Sequence, residues 1–297
     1  MKQTMFDASP TKYNVISLGA GVQSSCMALM AARGEIGPKP DAAIFADTQA
    51  EPQSVYDWLN WLEVEISKSP YPFPVYRVTA GNLTEEQLKI RHIQKDNKTG
   101  RKAGQPYLRK IIPLYGIKDG EITAAIGRAC TADYKIRPIF KLTKELFNIP
   151  RRCKEILVTQ WIGISWDEVQ RIKPPRDNCL QGRWPLIELK MRRHQCLEWM
   201  QQNGYPEPPR SACYYCPFHS DTEWRRLRDD EPEEFQKAIE FDKKIRASFK
   251  ENDKNAQMEV YLHRSCKPLS EIDFDNDIDK GQETFNFNNE CEGMCGV

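Results

Sequence analysis

Two cysteines separated by two residues form the strongest local metal signal in the chain. Cys213 and Cys216 enclose two tyrosines, and Pro217 follows directly. A tight turn at this spacing points both sulfur atoms inward, so the pair could hold one metal ion or one cluster. Such a pair is also typical of a redox dithiol, and a metal site needs a further ligand. Cys130, at the end of a predicted helix, is the candidate for that ligand.

A glycine-containing turn near the start of the sequence has the chemistry of an anion site. An apolar strand ending at Leu18 runs into a turn with Gly19 and Gly21, and a helical pattern follows at once. Backbone N–H groups in such a turn, with the N-terminus of the helix behind them, can bind phosphate. An ordinary strand-to-helix turn made of small residues has the same appearance. Three serines add hydroxyl donors: Ser17, Ser24 and Ser25.

The turn departs from the two common glycine signatures. A P-loop needs Gly-Lys-Ser/Thr after its second glycine, whereas Val22 and Gln23 follow Gly21 here. The dinucleotide-binding fingerprint needs a third glycine at the position of Ser24. The loop therefore matches neither of these nucleotide-binding signatures.

Alternating strand and helix patterns position this turn. Predicted strands at 42–47, 74–78 and 156–164 alternate with helical segments, which predicts a parallel sheet with helices on both faces. Ligands of such sheets bind beyond the carboxyl ends of the strands. Asp47 and Thr48 follow the second strand and so share that edge with the turn. A helix-capping role for Asp47 is an equally good interpretation.

The loop resembles the pyrophosphate loop of the adenine-nucleotide α-hydrolase superfamily, in particular the variant of phosphoadenosine phosphosulfate (PAPS) reductases, in which Gly-x-Gln recurs. Asp47-Thr48 resembles the Asp-Thr that follows the second strand in the same family. The ATP-cleaving members carry an Asp where Gln23 stands, which argues against a magnesium–ATP pyrophosphatase. The resemblance implies an α/β fold with a parallel twisted sheet and an adenine-nucleotide site formed by Ser17, Gly19, Gly21, Gln23, Ser24, Ser25, Asp47 and Thr48.

Later segments resemble the cluster-binding pattern of assimilatory sulfonucleotide reductases. Cys130, Lys135 and Pro138, followed far downstream by Cys213 and Cys216, are similar in order to motifs that surround a [4Fe–4S] cluster in that family. The resemblance covers about residues 13–230 and includes the Gly-Ile segment at 163–164 and the Trp-Pro segment at 184–185. It implies that Cys130, Cys213 and Cys216 bind the cluster.

One cysteine of the family pattern is missing. The paired cysteines of the family correspond here to Cys130 and Thr131, so a fourth ligand must come from elsewhere. There are two alternatives: a three-cysteine cluster with an open iron, and a zinc site with Cys and His ligands. Zinc is an alternative because it accepts the same ligand types. The candidates for the fourth ligand are Cys266, Cys291, Cys295 and His219.

Basic residues beyond the loop could complete an anion site. Lys135, Arg137 and Arg171 are predicted to neutralise the remaining anionic oxygens, since the planar guanidinium of arginine binds phosphate with two hydrogen bonds. A surface charge is the alternative interpretation for each. A further basic segment, 89–110, reads as a loop that could close over an anionic substrate.

The C-terminal segment resembles the Glu-Cys-Gly motif that carries the nucleophilic cysteine of PAPS reductases. Cys291 follows Glu290 and precedes Glu292-Gly293, an altered form of that motif. The resemblance implies that Cys291 is a catalytic thiolate that attacks sulfur, with Cys295 as the resolving thiol. The same pair could instead supply cluster ligands or have no role in the chemistry.

The composition of the chain indicates in which compartment this chemistry would take place. The chain has 297 residues and a net charge of +1, so no overall charge draws it to nucleic acid or membrane. We expect a cytoplasmic protein, because no apolar run resembles a signal peptide or a membrane span. In a reducing compartment its ten cysteines point to metal or redox roles rather than structural disulfides.

The sequence predicts three segments and leaves three functions open. An adenine-nucleotide-binding α/β domain at 11–190 precedes a helical region with the cysteine pair at 191–272 and a polar tail at 273–297. The favoured function is that of a PAPS-reductase-like enzyme that reduces or transfers sulfur, with a thiol protein as reductant. An ATP-dependent sulfurtransferase that thiolates tRNA or DNA is the first alternative. A zinc-stabilised, non-catalytic nucleotide-binding protein is the second.

Overall fold

A computed structural model describes residues 11–96, 102–175, 177–252 and 258–275. The chain forms two compact units, each built from segments far apart in sequence. The first unit combines the described residues up to Ala80 with Thr131–Ala212, and the second combines Gly81–Cys130 with those from Cys213 onward. The predictions for Cys291 and Cys295 lie outside the described residues.

Short strands and helices alternate along the described ranges. The strands are, in chain order, β1 Tyr13–Leu18, β2 Ala42–Asp47, β3 Val75–Thr79, β4 Ile90–His92, β5 Pro106–Leu108, β6 Leu114–Lys118, β7 Glu121–Ile126, β8 Val158–Ile162, β9 Leu180–Arg183 and β10 Met258–Tyr261. The α-helices are α1 Val22–Ala32, α2 Gln53–Lys68, α3 Leu83–Leu88, α4 Arg137–Leu146, α5 Pro185–Glu188, α6 Arg193–Gln202, α7 Asp221–Asp230 and α8 Pro232–Asn252. A π-helical segment, Thr131–Ile136, leads into α4, and 3-10 helices occupy Trp166–Arg171 and Leu269–Glu271.

The first unit is an α/β structure around a five-stranded parallel sheet, as the alternating pattern predicts. Its strand order is β3-β2-β1-β8-β9, so β1 lies at the centre. Val15 of β1 pairs with Gln160 of β8, which pairs in turn with Gly182 of β9. Because all strands run in the same direction, their carboxyl ends form one edge, at which ligands of such sheets bind.

Helices cover both faces of this sheet. Side chains of successive strand residues alternate between the faces, so Ile16 packs with Met27 of α1 and Leu59 of α2, whereas Val15 packs with Ile139 of α4. Both clusters consist of side chains that are almost inaccessible to solvent. Central strands buried on both faces explain the nearly continuous apolar runs in β1, β2 and β8.

The second unit combines helices with antiparallel strands. β10, β6 and β7 form a three-stranded sheet, and β4 pairs with β5 inside the segment predicted as a loop. Helices α7 and α8 coincide with the two helical patterns predicted for the C-terminal part. Asp242 of α8 anchors the segment after β10, because its carboxylate accepts hydrogen bonds from the backbone N–H groups of Leu262 (3.3 Å) and Leu269 (3.2 Å).

The longest helix of the described ranges is not a membrane span. α8 has 21 residues but carries charged side chains along its length. No other helix in the described part of the chain has both the length and the apolar character that a membrane crossing requires.

Candidate functional site

The loop between β1 and α1 presents an uncapped helix N-terminus at the carboxyl edge of the sheet. Ala20 holds a left-handed backbone conformation, with φ of 59°. Gly21 precedes the first turn of α1, and no side chain caps that end of the helix. The first N–H groups of a helix have no partner within the helix, and the helix dipole favours negative charge beside them. The loop and all of α1 are buried.

The three serines of the loop have different roles. Ser24 Oγ donates to the carbonyl of Gly21 (3.3 Å) and accepts from the N–H of Gly19 (3.2 Å), which closes the turn. Ser25 Oγ accepts from the indole N–H of Trp58 in α2 (2.9 Å). Ser17 Oγ is buried and has no hydrogen-bond partner among the described residues. Of the three predicted donors, Ser17 alone keeps its hydroxyl available to a ligand.

Gly163, directly after β8, fixes the position of the loop from the other side. A Cβ at this residue would lie 2.8 Å from both the backbone N and the Cα of Ser24. That distance is shorter than real Cβ contacts, and backbone atoms cannot rotate away. The first turn of α1 can therefore approach the end of β8 only because residue 163 has no side chain.

Gln23 is held by protein groups on both sides of its amide. Its Nε2 donates to Glu168 (3.1 Å) and to Ser165 (3.5 Å), and its Oε1 accepts from Arg193 (2.7 Å). Glu168 also pairs with Arg171 at 2.7 Å. A neutral amide suits a position between a carboxylate and a guanidinium, because it can donate to one and accept from the other. Gln23 thereby links α1, the 3-10 helix at 166–171 and α6.

A buried ion pair lies next to the end of β2. Lys135, in the π-helical segment, places its Nζ 3.3 Å from Oε1 of Glu51, and both side chains are almost completely buried. π-helical turns are uncommon and frequently occur at functional sites. Thr48, between β2 and Glu51, is also buried. The predicted residues Thr48 and Lys135 thus belong to one buried polar region of the first unit.

Asp47 braces the turn after β2. Its Oδ1 accepts hydrogen bonds from the backbone N–H of Gln49 (2.7 Å) and from the hydroxyl of Tyr56 in α2 (2.8 Å). Burial and this bond to Asp47 raise the pKa of Tyr56 above its usual range, so its hydroxyl stays protonated as a donor. These contacts give Asp47 a structural role in the turn, but it does not cap α2, whose N-cap residue is Pro52.

The two predicted arginines differ in exposure. Arg137 extends into solvent, where it pairs with Asp133 one helical turn earlier. Arg171 is mostly buried in its ion pair with Glu168. A guanidinium held this way keeps one direction, which suits recognition of a defined anionic group better than a solvated side chain does.

The three predicted metal ligands belong to the second unit. The N–H of Cys216 donates to the carbonyl of Cys213 (2.9 Å), so the pair forms the expected tight turn. The ring of Tyr215 within this turn stacks on Phe241 of α8. Burial, together with the nearby charges of Cys213 and Cys130, raises the pKa of Tyr215 well above its usual range. Cys130 and Cys213 are therefore close to the same buried ring.

Within the described ranges, these thiols do not form a complete metal site. No group of three or more Cys, His, Asp or Glu side chains there has an arrangement that could hold a metal ion. His219 follows the turn, with its N–H donating to the carbonyl of Cys216 (3.0 Å), and Cys266 is buried with φ of 52°. Three soft thiol ligands in one unit suit an iron–sulfur cluster or zinc in their chemistry. The metal assignment stays a prediction.

Glu51 and Gln160 are buried polar residues to which the sequence prediction assigned no role. Glu51 stands just before the helix-opening Pro52, where a carboxylate looks like a helix-start residue. Gln160 lies in the middle of β8, between Thr159 and Trp161. An amide in a strand buried on both faces breaks the expected pattern, and that break is the signal that could have identified it.

A cavity of about 890 Å³ opens in the second unit between α8 and the β10-β6-β7 sheet. None of the predicted site residues lines it. Its lining carries three cations, Lys243, Arg246 and Lys250, and two acids, Asp119 and Glu259.

Comparisons of the chain with protein-family models, curated proteins and solved structures found no match.

Proposed function

We propose that the chain is a PAPS-reductase-like enzyme that binds an adenine nucleotide at the carboxyl edge of its parallel sheet and reduces or transfers sulfur. The observation that carries the proposal is the buried N-terminus of α1 at the carboxyl edge of the sheet, which no side chain caps. An anion there would receive backbone N–H groups and the helix dipole at once.

Nearby charges support an anionic ligand at the same edge. Lys135 is a buried cation next to the end of β2, and Arg171 is a mostly buried guanidinium in the segment after β8. In such water-poor surroundings each interaction with phosphate or sulfate oxygens is stronger than it would be in solvent. The strands that end at this edge hold the donors in fixed positions.

The cysteines of the second unit would supply the sulfur chemistry. Cys130, Cys213 and Cys216 would hold an iron–sulfur cluster, with zinc as the alternative, and a cluster would provide redox or sulfur-transfer capacity.

Anaerobic purification followed by a nucleotide screen tests this proposal. Iron, sulfide and zinc are quantified, and ATP, PAPS and its non-phosphorylated analogue are titrated into the full chain. We expect stoichiometric iron and sulfide that are lost in Cys213→Ser and retained in Cys26→Ser, because Cys26 is buried in the core between α1 and α6. We also expect binding of at least one nucleotide.

Zinc without iron, sulfide or turnover would favour the non-catalytic alternative. Absence of both a metal and nucleotide binding would overturn the proposal.

The nucleic-acid-modifying alternative draws on the cavity in the second unit, whose lining carries three cations and the two acids Asp119 and Glu259. Lys243 and Lys250 line it and have no ion pair among the described residues, whereas Arg246 pairs with Asp242 (2.9 Å). By contrast, the basic segment 89–110 is partly neutralised within itself, since Lys102 pairs with Asp96 (2.8 Å). Binding of tRNA or DNA that weakens steeply with salt would favour this alternative.

A further inference from the structure

Gln160 is a buried amide without a hydrogen bond in the described part of the chain. It lies in β8 with 2% of its surface exposed, and neither its Nε2 nor its Oε1 has a partner. Buried side-chain polar atoms nearly always have partners in native proteins, and an exception requires an explanation. A glutamine offers two donors and two acceptors, so all of its hydrogen-bonding capacity is unused here.

Gln160 lies between two apolar clusters on the face of the sheet that α4 covers. Towards the start of the strands, Val158 and Leu180 belong to the cluster around α4. Towards the carboxyl edge, Ile162 packs with Trp184. Gln160 is therefore a buried polar residue between two apolar clusters.

Two other unpartnered polar groups occupy the neighbouring strands on the same face. Val15 and Gly182 flank Gln160 across the sheet, and Ser17 follows Val15 by two residues on that face. The ring of Trp184 lies where a Cβ of Gly182 would point, 2.7 Å from that position. The hydroxyl of Ser17 and the indole Nε1 of Trp184 are also buried and lack partners among the described residues.

Ser17 and Trp184 stand one side-chain repeat closer to the carboxyl ends than Gln160, Ser17 on the strand to one side and Trp184 just beyond the strand to the other. Three unsatisfied groups on one face of the sheet suit a ligand with its own donors and acceptors. A side-chain amide pairs with adenine through two hydrogen bonds, whereas guanine offers two acceptors to the same edge.

We propose that Gln160 is the specificity-determining residue that recognises the adenine base, an inference that rests on the nucleotide site proposed above. Ser17 and the indole N–H of Trp184 would be positioned beside the same ligand. The unliganded protein then bears the cost of an unsatisfied buried amide. The ligand removes this cost because it supplies the missing hydrogen bonds.

The test measures stability and base preference in the same variants of the full chain. ATP and GTP are titrated into the wild type and into Gln160→Met, which keeps the length of the side chain but removes the amide. We expect the wild type to prefer ATP by about tenfold or more, and the variant to lose this preference through weaker ATP binding. We also expect the melting temperature of the unliganded variant to rise by about 2–4 °C, because an unsatisfied buried amide is removed.

The matched control is Gln181→Met on the adjacent strand β9. Gln181 Nε2 donates to Thr159 Oγ1 (2.8 Å), so its loss should lower the melting temperature and leave the base preference intact. If Gln160→Met lowered the melting temperature and kept the preference for ATP, Gln160 would be a structural residue and the inference would fail while nucleotide binding stood. If the wild type bound neither ATP nor GTP, the inference would fail, and the proposed function would fail with it only if PAPS and its non-phosphorylated analogue also did not bind.

Discussion

Replacing Lys135 with methionine is expected to lower the free energy of unfolding by about 3–5 kcal/mol. The Nζ of Lys135 lies 3.3 Å from Glu51, and both side chains are almost fully buried. Removal of the ammonium leaves the buried carboxylate of Glu51 without this cation, and breaking a buried ion pair by removing one partner is strongly destabilising. Urea denaturation of the full chain measures the change.

Lys141→Met is the matched control for this prediction. Lys141 stands in α4 one and a half turns further on, and its ion pair with Glu145 is long (3.8 Å) and exposed. Its loss should cost less than about 0.5 kcal/mol. A second variant, Lys135→Met with Glu51→Gln, should recover at least half of the stability, since no charge is then left behind. A cost of Lys135→Met no greater than that of the control would contradict the buried ion pair.

Gly163→Ala is expected to weaken nucleotide binding about tenfold or more and to cost about 1–3 kcal/mol of stability. The added Cβ would stand 2.8 Å from the backbone N and Cα of Ser24. The loop would have to move away from β8, and the N–H groups of α1 would no longer face the position of the anion. Calorimetric titration of PAPS and ATP, with thermal melting, measures both effects.

Gly37→Ala serves as the control for the effect of a methyl group. Nothing lies within 4 Å of the position its Cβ would take, and Gly37 is exposed. This variant should keep both its melting temperature and its affinity. Unchanged nucleotide affinity in Gly163→Ala would show that the spacing between the loop and β8 does not determine binding.

The sheet and its order along the chain could be predicted because the relevant signals are local. The apolar run before Gly19 and the helical pattern after Gly21 match β1 and α1, and β2 occupies the predicted 42–47. Helices α7 and α8 follow from apolar spacing alone. The antiparallel sheet of the second unit was missed, because β10 pairs with β6 across a long stretch of chain and no local pattern records such pairing.

The sequence predicted residues of the candidate site, but it predicted their roles only in part. The sequence identified Ser24 and Ser25 as donors, yet these hydroxyls brace the loop and α2. It left Asp47 open between nucleotide binding and helix capping, whereas in the structure Asp47 accepts hydrogen bonds from Gln49 and Tyr56. A hydrogen-bond partner depends on which elements meet in space, and a single sequence does not contain that information.

Glu51 and Gln160 show the opposite case, in which the structure identifies residues that no sequence motif indicates. Neither belongs to a motif, and each becomes informative only through burial and through the presence or absence of a partner. The amide within β8 was visible in the sequence. Its meaning depends on the register that places Gln160 between Val15 and Gly182.

The central claim is that the backbone of the loop after β1 binds the anionic end of a nucleotide. Titration of PAPS and ATP into Gly21→Asp and Gly21→Asn tests it most directly, because the two side chains have the same size and differ in charge. The account predicts that the aspartate variant binds at least about tenfold more weakly than the asparagine variant, since its carboxylate repels the ligand. Gly37→Asp, at an exposed position, should bind like the wild type. Equal affinities in both Gly21 variants, with melting temperatures that show both are folded, would contradict an anion site at this loop.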